Sequence, residues 1–270
     1  MTNANVSASR RVPFLPGSFA GIRLAAILAL PFAAVAAPDG MKILKAIEAN
    51  EAMTEDVRSK VVLTENRKGQ GTKVLTMEYF RRDKDKSFVI AMTGPESERG
   101  NGYLRQGDHF WMYRRNTRTF QHVNRDESIA GSDAKGGDFE SRPFTEMFAP
   151  VKDAAGQEML RADTVGGVPC WRLEVRAIIS DVDYPKKTLW VRQDNLLLAK
   201  QQSYSSGGTL MQSAYFTRYQ PIAGRQLSTR MVFVDEVEKG NRSMVDLSEV
   251  KVGKVDPNIF TKAWLESKSR

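Results

Sequence analysis

The fold is decided by the segments Val57-Arg-Ser-Lys-Val-Val-Leu-Thr64 and Thr72-Lys-Val-Leu-Thr-Met-Glu-Tyr-Phe-Arg81, which flank the turn Lys68-Gly-Gln-Gly71. Apolar and polar residues largely alternate in both segments, a period of two that is typical of β-strands with one buried face. A glycine-containing turn between two such strands predicts an antiparallel hairpin. The alternation also predicts a sheet with one wetter face, as antiparallel sheets commonly have.

Further strands are predicted along most of the chain, separated by turns that contain glycine or asparagine. They cover residues 87–92, 102–106, 108–113, 165–175, 187–192, 196–202, 210–219, 226–234 and 242–250. With the first hairpin the total is about ten or eleven short strands, and this number favours a mainly β sandwich or barrel.

An amphipathic helix is predicted before the first strand. Ile43, Leu44 and Ile47 recur at helical spacing, and Asp39 is suited to the N-cap position. The terminal segment at 259–265 carries apolar residues that we expect to anchor the end of the chain.

The middle of the chain interrupts the strand pattern. Residues 126–138 contain three glycines among small polar residues, which predicts a flexible loop. Phe144, Met147 and Phe148 follow at spacings that suit one or two short helices. A polar loop that carries bulky apolar residues across a sheet is a candidate lid.

The N-terminus has the three parts of a secretory signal peptide. Arginines precede an apolar run at 24–35, and the run ends in small residues at Ala36 and Ala37. We therefore expect residues 1–37 to be a cleaved signal peptide and residues 38–270 to form a single domain in the periplasm.

Two alternatives exist for this segment. An uncleaved membrane anchor is disfavoured, because the apolar run is shorter than the ~20 residues that a spanning helix needs. Arg10-Arg11 resembles a twin-arginine signal. Pro13 does not suit that pattern, so we favour the general secretion route.

Composition excludes several functional classes. Cys170 is the only cysteine, so an intrachain disulfide is impossible. The two histidines have no cysteine cluster beside them, and we expect no metal site. The modest positive charge and the expected export argue against binding of nucleic acid.

No catalytic constellation is apparent in the sequence. His109 follows Asp108 directly, and neighbours on a strand point to opposite faces. Ser128 and Ser132 lie in the predicted loop and could in principle complete a triad, an alternative that we disfavour. Cys170 beside Trp171 is better interpreted as a small buried hydrophobe than as a nucleophile. We predict no enzymatic activity. An enzyme acting on envelope lipids is the least favoured alternative.

Large apolar side chains share faces of the predicted strands. They are Phe88, Ile90 and Met92 on one strand, and Trp111 and Tyr113 on another. Each residue could belong to an ordinary core. A curved sheet covered by one helix and a lid leaves room for an elongated apolar ligand, and the same side chains could then line a cavity.

The order of these elements resembles the LolA/LolB-like periplasmic carriers, known as outer membrane lipoprotein-sorting proteins. The similarity covers about residues 40–266, and Gly137 stands where that family usually has serine. The segments that carry the similarity are Gly136-Gly-Asp-Phe139, Leu189-Trp-Val-Arg-Gln-Asp-Asn-Leu-Leu-Leu198, Gly207-Gly208, Phe216-Thr-Arg-Tyr219, Asp256-Pro-Asn-Ile-Phe-Thr261 and Leu265.

The resemblance implies an antiparallel, incomplete (half) β-barrel, with an N-terminal helix and a helical lid loop over its concave face. It implies a non-catalytic, monomeric carrier of lipid or lipoprotein acyl chains, without a cofactor. A partner of this type is an inner-membrane exporter of the resistance-nodulation-division class. The expected lipid-binding residues are Phe88, Ile90, Met92, Trp111, Tyr113, Phe144, Met147 and Phe148.

A sensor or adaptor of the same fold is the alternative function. It would bind lipid or lipoprotein and pass a signal to a protein partner. The arginine that gates acylated cargo in true lipoprotein chaperones has no identifiable counterpart here, so the sequence does not specify lipoprotein as the cargo.

Overall fold

The computed structural model describes residues 38–139 and 142–269, and the predicted signal peptide lies outside the described residues. The helices are α1 (Gly40–Glu51), α2 (Phe144–Met147) and α3 (Lys262–Ser267). The strands are β1 (Val57–Arg67), β2 (Gly71–Arg82), β3 (Ser87–Gly94), β4 (Gly102–Gln106), β5 (His109–Arg114), β6 (Thr119–His122), β7 (Phe148–Pro150), β8 (Leu160–Val165), β9 (Val168–Ala177), β10 (Lys186–Arg192), β11 (Leu198–Tyr204), β12 (Leu210–Ile222), β13 (Arg225–Asp235) and β14 (Arg242–Val252).

All of these strands belong to one antiparallel sheet in the order β6-β5-β4-β3-β2-β1-β14-β13-β12-β11-β10-β9-β7, with β8 also paired to β9. Strand β1 pairs with both β2 and β14, which joins the two ends of the chain in the middle of the sheet. The terminal strands β6 and β7 are not paired with each other, so the sheet is not closed. The prediction of a mainly β, antiparallel, incomplete barrel is confirmed.

The predicted number of strands, ten or eleven, is too low, because the sheet has fourteen. The strands that the sequence did not reveal are β6, β7 and β8. Strands β6 and β8 are mostly exposed, so their residues show no apolar alternation. Strand β7 has three residues and begins directly after α2, which made it inseparable from the helical pattern.

Helix α1 begins where the sequence predicts it. The Asp39 carboxylate accepts a hydrogen bond from the backbone N–H of Lys42 at 2.7 Å, as an N-cap does. Ile43, Leu44 and Ile47 are almost completely buried, in one apolar cluster with side chains of β9, β10 and β11. This packing fixes α1 against the inner face of the sheet. Among the described residues, no helix combines the length and apolar character that crossing a bilayer requires.

The segment predicted as a flexible loop is instead packed into the sheet. Ile129 is completely buried in the cluster that fills the β2–β5 side of the inner face. Two hydrogen bonds between Asp133 and Ser243 also fix the segment to β14. The Ser243 hydroxyl donates to the Asp133 carboxylate at 2.8 Å, and the backbone N–H of Asp133 donates to the Ser243 hydroxyl oxygen at 3.0 Å. Small polar residues permit the turns here and do not produce mobility.

The Gly136-Gly-Asp-Phe139 segment has a steric reason to begin with glycine. A Cβ atom on Gly136 would lie 2.4 Å from the Phe110 ring, which real contacts do not allow. Three residues later the carbonyl of Phe139 accepts a hydrogen bond from the Tyr79 hydroxyl. The glycine thus lets this segment approach the sheet closely enough to be held by β2.

The C-terminal segment covers the opposite, outer face of the sheet, as the apolar residues at its end predict. Phe260 and Leu265 are buried against a cluster that includes Phe80, Val89 and Tyr113. Consequently, strands β3 and β5 carry apolar residues on both faces. Strand β3 shows this most clearly, because seven of its eight residues are buried.

Candidate functional site

A cavity of about 210 Å³ lies on the inner face of the sheet. Its walls include Tyr79 and Arg81 of β2 and, several strands away in the sheet, Lys187 of β10. Side chains from such distant strands meet around one space only because the sheet curls around it. The volume exceeds the roughly 150 Å³ that admits benzene. It is smaller than the roughly 300–1,000 Å³ of pockets for drug-sized ligands.

The floor of the cavity is apolar. Phe216 of β12 pairs across the strands with Met231 of β13, and Ala214 pairs with Phe233 in the same way. Leu247 of β14 extends the same face. Phe216, Met231 and Leu247 are only half-buried, so the cavity exposes apolar surface that no protein group covers.

Helix α2 and the residue after it form one side of the cavity mouth. Phe144, Met147 and Phe148 all line the cavity, and the first and last of these rings lie 5.9 Å apart between centroids. The Thr145 hydroxyl donates to the Glu48 carboxylate at 2.8 Å, which holds α2 against α1. The segment predicted as a helical lid therefore lies at the position that a lid requires.

A second covering segment, residues 178–185 between β9 and β10, was not predicted. Val182 and Tyr184 line the cavity. Arg125 and Arg142 both hold Asp181: Arg125 Nη1 lies 2.8 Å from its carboxylate, and Arg142 Nη1 lies 2.9 Å from its carbonyl oxygen. The segment has neither helical nor strand periodicity, so only the fold reveals its role.

The structure places the eight predicted lipid-binding residues in three environments. Phe144, Met147 and Phe148 line the cavity. Phe88, Ile90 and Met92 share its side of the sheet, but they are buried within the apolar cluster beside it and do not line it. Trp111 and Tyr113 belong to the outer-face cluster under the C-terminal segment, so we withdraw both from the candidate site.

The pairing of strands explains the placement of Trp111 and Tyr113. Phe88 pairs with Arg105, and Arg105 pairs with Phe110, so Phe110 shares the face of Phe88. The two rings lie 5.5 Å apart between centroids. Trp111 is the next residue and points to the other face.

Charged residues also face the cavity, and sequence reasoning did not identify them. Lys187 lies on the inner face of β10, with its Nζ atom 5.2 Å from the centroid of the Phe148 ring and 5.9 Å from that of Phe144. Burial lowers the pKa of Lys187, against the attraction of Asp138, Asp183 and Glu51. In the described part of the chain, the ammonium group of Lys187 makes no hydrogen bond or ion pair.

Carboxylates surround the same space. Burial raises the pKa of Glu51 to about 7, although Arg81 and Lys187 act in the opposite direction. Glu51 is also the last residue of α1, where the helix dipole disfavours negative charge. Desolvation by the surrounding protein likewise raises the pKa of Asp138, which also lines the cavity, to about 6.

We expect Glu51→Gln to remove a pH dependence of stability. The pKa of Glu51 is higher in the folded state than in the unfolded chain. The folded state therefore retains the proton, and wild-type stability falls as the pH rises from about 4.5 to about 7. Glutamine does not titrate, so the variant lacks this loss. The free energy of unfolding of the variant relative to wild type should therefore be higher at pH 8 than at pH 4, by on the order of 1 kcal/mol.

Urea unfolding at pH 4 and pH 8 measures this difference. Glu55→Gln, at an exposed position just after α1, is the control. An equal effect of Glu51→Gln at both pH values would contradict the assigned environment of Glu51.

The two histidines and Cys170, which the sequence analysis considered for metal binding and catalysis, do not line the cavity. No cluster of three or more His, Cys, Asp or Glu side chains in the described residues is arranged to hold a metal ion. The His109 ring stacks on Trp111 at 5.5 Å between centroids, on the outer face. Cys170 is completely buried in β9, which is the environment of a small hydrophobe.

A family model that describes uncharacterized proteins matches residues 83–267, which is more than half of the chain. The chain belongs to this family. No curated protein matches the sequence significantly.

Solved structures show which fold this family member has. A LolA superfamily protein from Nitrosomonas europaea is 22% identical, with 84% of this chain and all of that chain (100%) covered at a TM-score of 0.71. An outer membrane lipoprotein-sorting protein domain from Vibrio parahaemolyticus is 16% identical, with coverages of 84% and 98% and a TM-score of 0.72. A DUF1329 family protein from Desulfovibrio piger is 20% identical, with coverages of 83% and 96% and a TM-score of 0.71.

These similarities confirm the resemblance to the LolA/LolB-like proteins at the level of the fold. The family member described here has the LolA-like open barrel, and its cavity lies on the concave face of that barrel.

Proposed function

We propose that this protein is a non-catalytic periplasmic carrier that binds the acyl chains of a lipid or lipoprotein in the concave cavity. The observation that carries the proposal is the half-buried apolar floor of Phe216, Met231 and Leu247 beneath two covering segments. Burial of an acyl chain contributes roughly 0.8 kcal/mol per CH₂ group. A floor of this kind can provide that burial to a chain taken from a membrane.

Entry requires movement of the covering segments, because the cavity of about 210 Å³ is smaller than pockets for drug-sized ligands. The ion pairs that hold residues 178–185 are weak enough to open. Asp181 is largely exposed, and exposed ion pairs contribute roughly 0–1 kcal/mol. We infer that α2 and residues 178–185 separate, the acyl chain enters, and a membrane partner later accepts it.

The cellular context belongs to the same proposal. The signal-peptide pattern of residues 1–37 supports export, with residues 38–270 as the mature, monomeric lipid-binding domain. The Vibrio parahaemolyticus relative is named as an outer membrane lipoprotein-sorting protein. We propose an inner-membrane exporter of the resistance-nodulation-division type as the partner.

Transfer of a fluorescent acyl chain tests this function. The purified protein is mixed with an acyl chain that carries an environment-sensitive fluorophore, and then with lipid vesicles. We expect saturable binding, followed by delivery of the probe to the vesicles. Trp111→Glu is a useful control, because the altered residue lies on the outer face and uptake should be unchanged. Absence of saturable binding by the folded protein would refute the carrier function.

A sensor or adaptor is the second candidate, and one observation favours it. Ile178 and Ile179 are 59% and 36% exposed, on the segment that covers the cavity. Exposed apolar residues on a segment that moves with ligand could contact a protein partner. A stable protein complex that forms only with loaded protein, without transfer of lipid, would favour this function over the carrier.

A further inference from the structure

Lys187 is a cation at an apolar position. It lies on the same face of β10 as Leu189 and Val191, which are completely buried. Its neighbours across the sheet are Val175 of β9 and Ser203 of β11. An ammonium group surrounded by protein is costly unless an opposite charge or hydrogen bonds compensate it. Among the described residues, no group lies within hydrogen-bond or ion-pair distance of it, and Asp138, Asp183 and Glu51 attract it only from farther away.

The other basic groups around the cavity are engaged by groups of the protein. Arg81 donates to the Asp83 carboxylate at 2.5 and 2.7 Å. Arg125 and Arg142 hold Asp181, as described above. Lys135 lies 4.8 Å from the centroid of the Tyr184 ring. Among the described cations that line the cavity, Lys187 is therefore the one on a strand of the sheet whose charged group has no hydrogen bond or ion pair.

The position of Lys187 also gives the cavity a direction. The ammonium group lies beside the two phenylalanines at the mouth, and the apolar floor begins two strands away at β12 and continues to β14. Neighbouring strands are ~4.8 Å apart, so β10 and β14 are separated by roughly 19 Å along the sheet. A ligand that fills this space has a charged end and a long apolar end.

We propose that the cavity takes an amphiphile with a single negative charge at its head, and that the Lys187 ammonium pairs with this head while the acyl chain lies over β12 to β14. The inference rests on the proposed acyl-binding function and adds the chemistry of the headgroup. Glu51, Asp138 and Asp183 face the same end of the cavity. Their charge disfavours a doubly charged head, so a carboxylate or a phosphodiester fits better than a phosphomonoester.

Competition binding tests the headgroup. Dodecanoate, lysophosphatidylglycerol and dodecanol each displace a fluorescent acyl probe from the purified protein. The first two ligands carry one negative charge, and the third carries none. We expect wild type to bind at least one of the anionic ligands ten-fold or more tightly than dodecanol. The preferred anion identifies the headgroup as a carboxylate or a phosphodiester.

Variants at β10 assign this preference to one residue. Lys187→Met should reduce the preference over dodecanol to two-fold or less, and Lys187→Arg should retain it. Lys186→Met is the matched control, because the adjacent residue points to the opposite face and should leave the preference intact. Thermal unfolding of each variant verifies that it is folded.

The possible failures are distinguishable. Equal binding of all three ligands by wild type, or an anion preference that survives in Lys187→Met, would overturn the headgroup assignment and leave acyl binding in place. If no ligand binds, dodecanol included, both the proposed acyl-binding function and the headgroup assignment would be overturned.

Discussion

Met231→Glu should weaken acyl binding by at least a hundred-fold while the protein stays folded. Met231 is half-buried in the cavity floor and pairs with Phe216 across β12 and β13. A carboxylate at this point prevents an acyl chain from covering the floor. Loss of contact with about four CH₂ groups corresponds to roughly 3 kcal/mol, or more than a hundred-fold in Kd.

Met244→Glu is the matched control for this prediction. Met244 lies on the neighbouring strand β14, is also half-buried, and points away from the cavity, because it is one residue out of phase with Val245 and Leu247. Titration with a fluorescent acyl probe compares the two variants. Similar affinities for both would mean that the floor does not contact the ligand.

Arg82→Met should destabilise the protein by about 3–5 kcal/mol, which is the usual cost of removing one partner from a buried ion pair. Arg82 donates two hydrogen bonds to the buried carboxylate of Asp56, at 2.9 and 2.8 Å. It also donates to the Val255 carbonyl and lies 4.3 Å from the centroid of the Phe260 ring. The substitution therefore leaves Asp56 charged and loosens the C-terminal segment.

Two further variants separate the ion pair from general effects of the substitution. Arg58→Met alters an outward-facing pair with Glu78 whose arginine is 54% exposed, and it should cost less than about 1 kcal/mol. Asp56→Leu combined with Arg82→Met removes both charges and should recover most of the loss. Urea unfolding measures all of these values. An Arg82→Met effect as small as that of Arg58→Met would contradict the assigned role.

The sheet was predictable because its strands follow simple physical rules. In β1 and β2 the apolar residues alternate, and Asp39 has the side chain that an N-cap requires. The exposed strands β6 and β8 bury too little apolar surface to leave such a pattern. Their place depends on pairing with neighbouring strands, which local sequence does not specify.

The site was predictable only in part. Phe144, Met147 and Phe148 were identified because bulky apolar residues in a polar segment need a surface to cover. Trp111 and Tyr113 were assigned to the cavity because β5 is apolar on both faces, and only the distant C-terminal segment determines which face is the outer one.

One signal for the charged part of the site was present in the sequence. Lys187 is in phase with Leu189 and Val191, so the alternation of β10 places a lysine on the buried face. A charge at such a position is seldom retained without a partner. The carboxylates that attract Lys187 from a distance were not evident, because Glu51, Asp138 and Asp183 come from three separate segments.

The most direct measurement is native mass spectrometry of the protein purified from its own cells, followed by extraction of bound lipid. We expect a co-purifying species that carries an acyl chain, present in wild type and absent from Met231→Glu. A wild-type protein that is empty after purification and takes up no acyl probe would show that the cavity is not a lipid site.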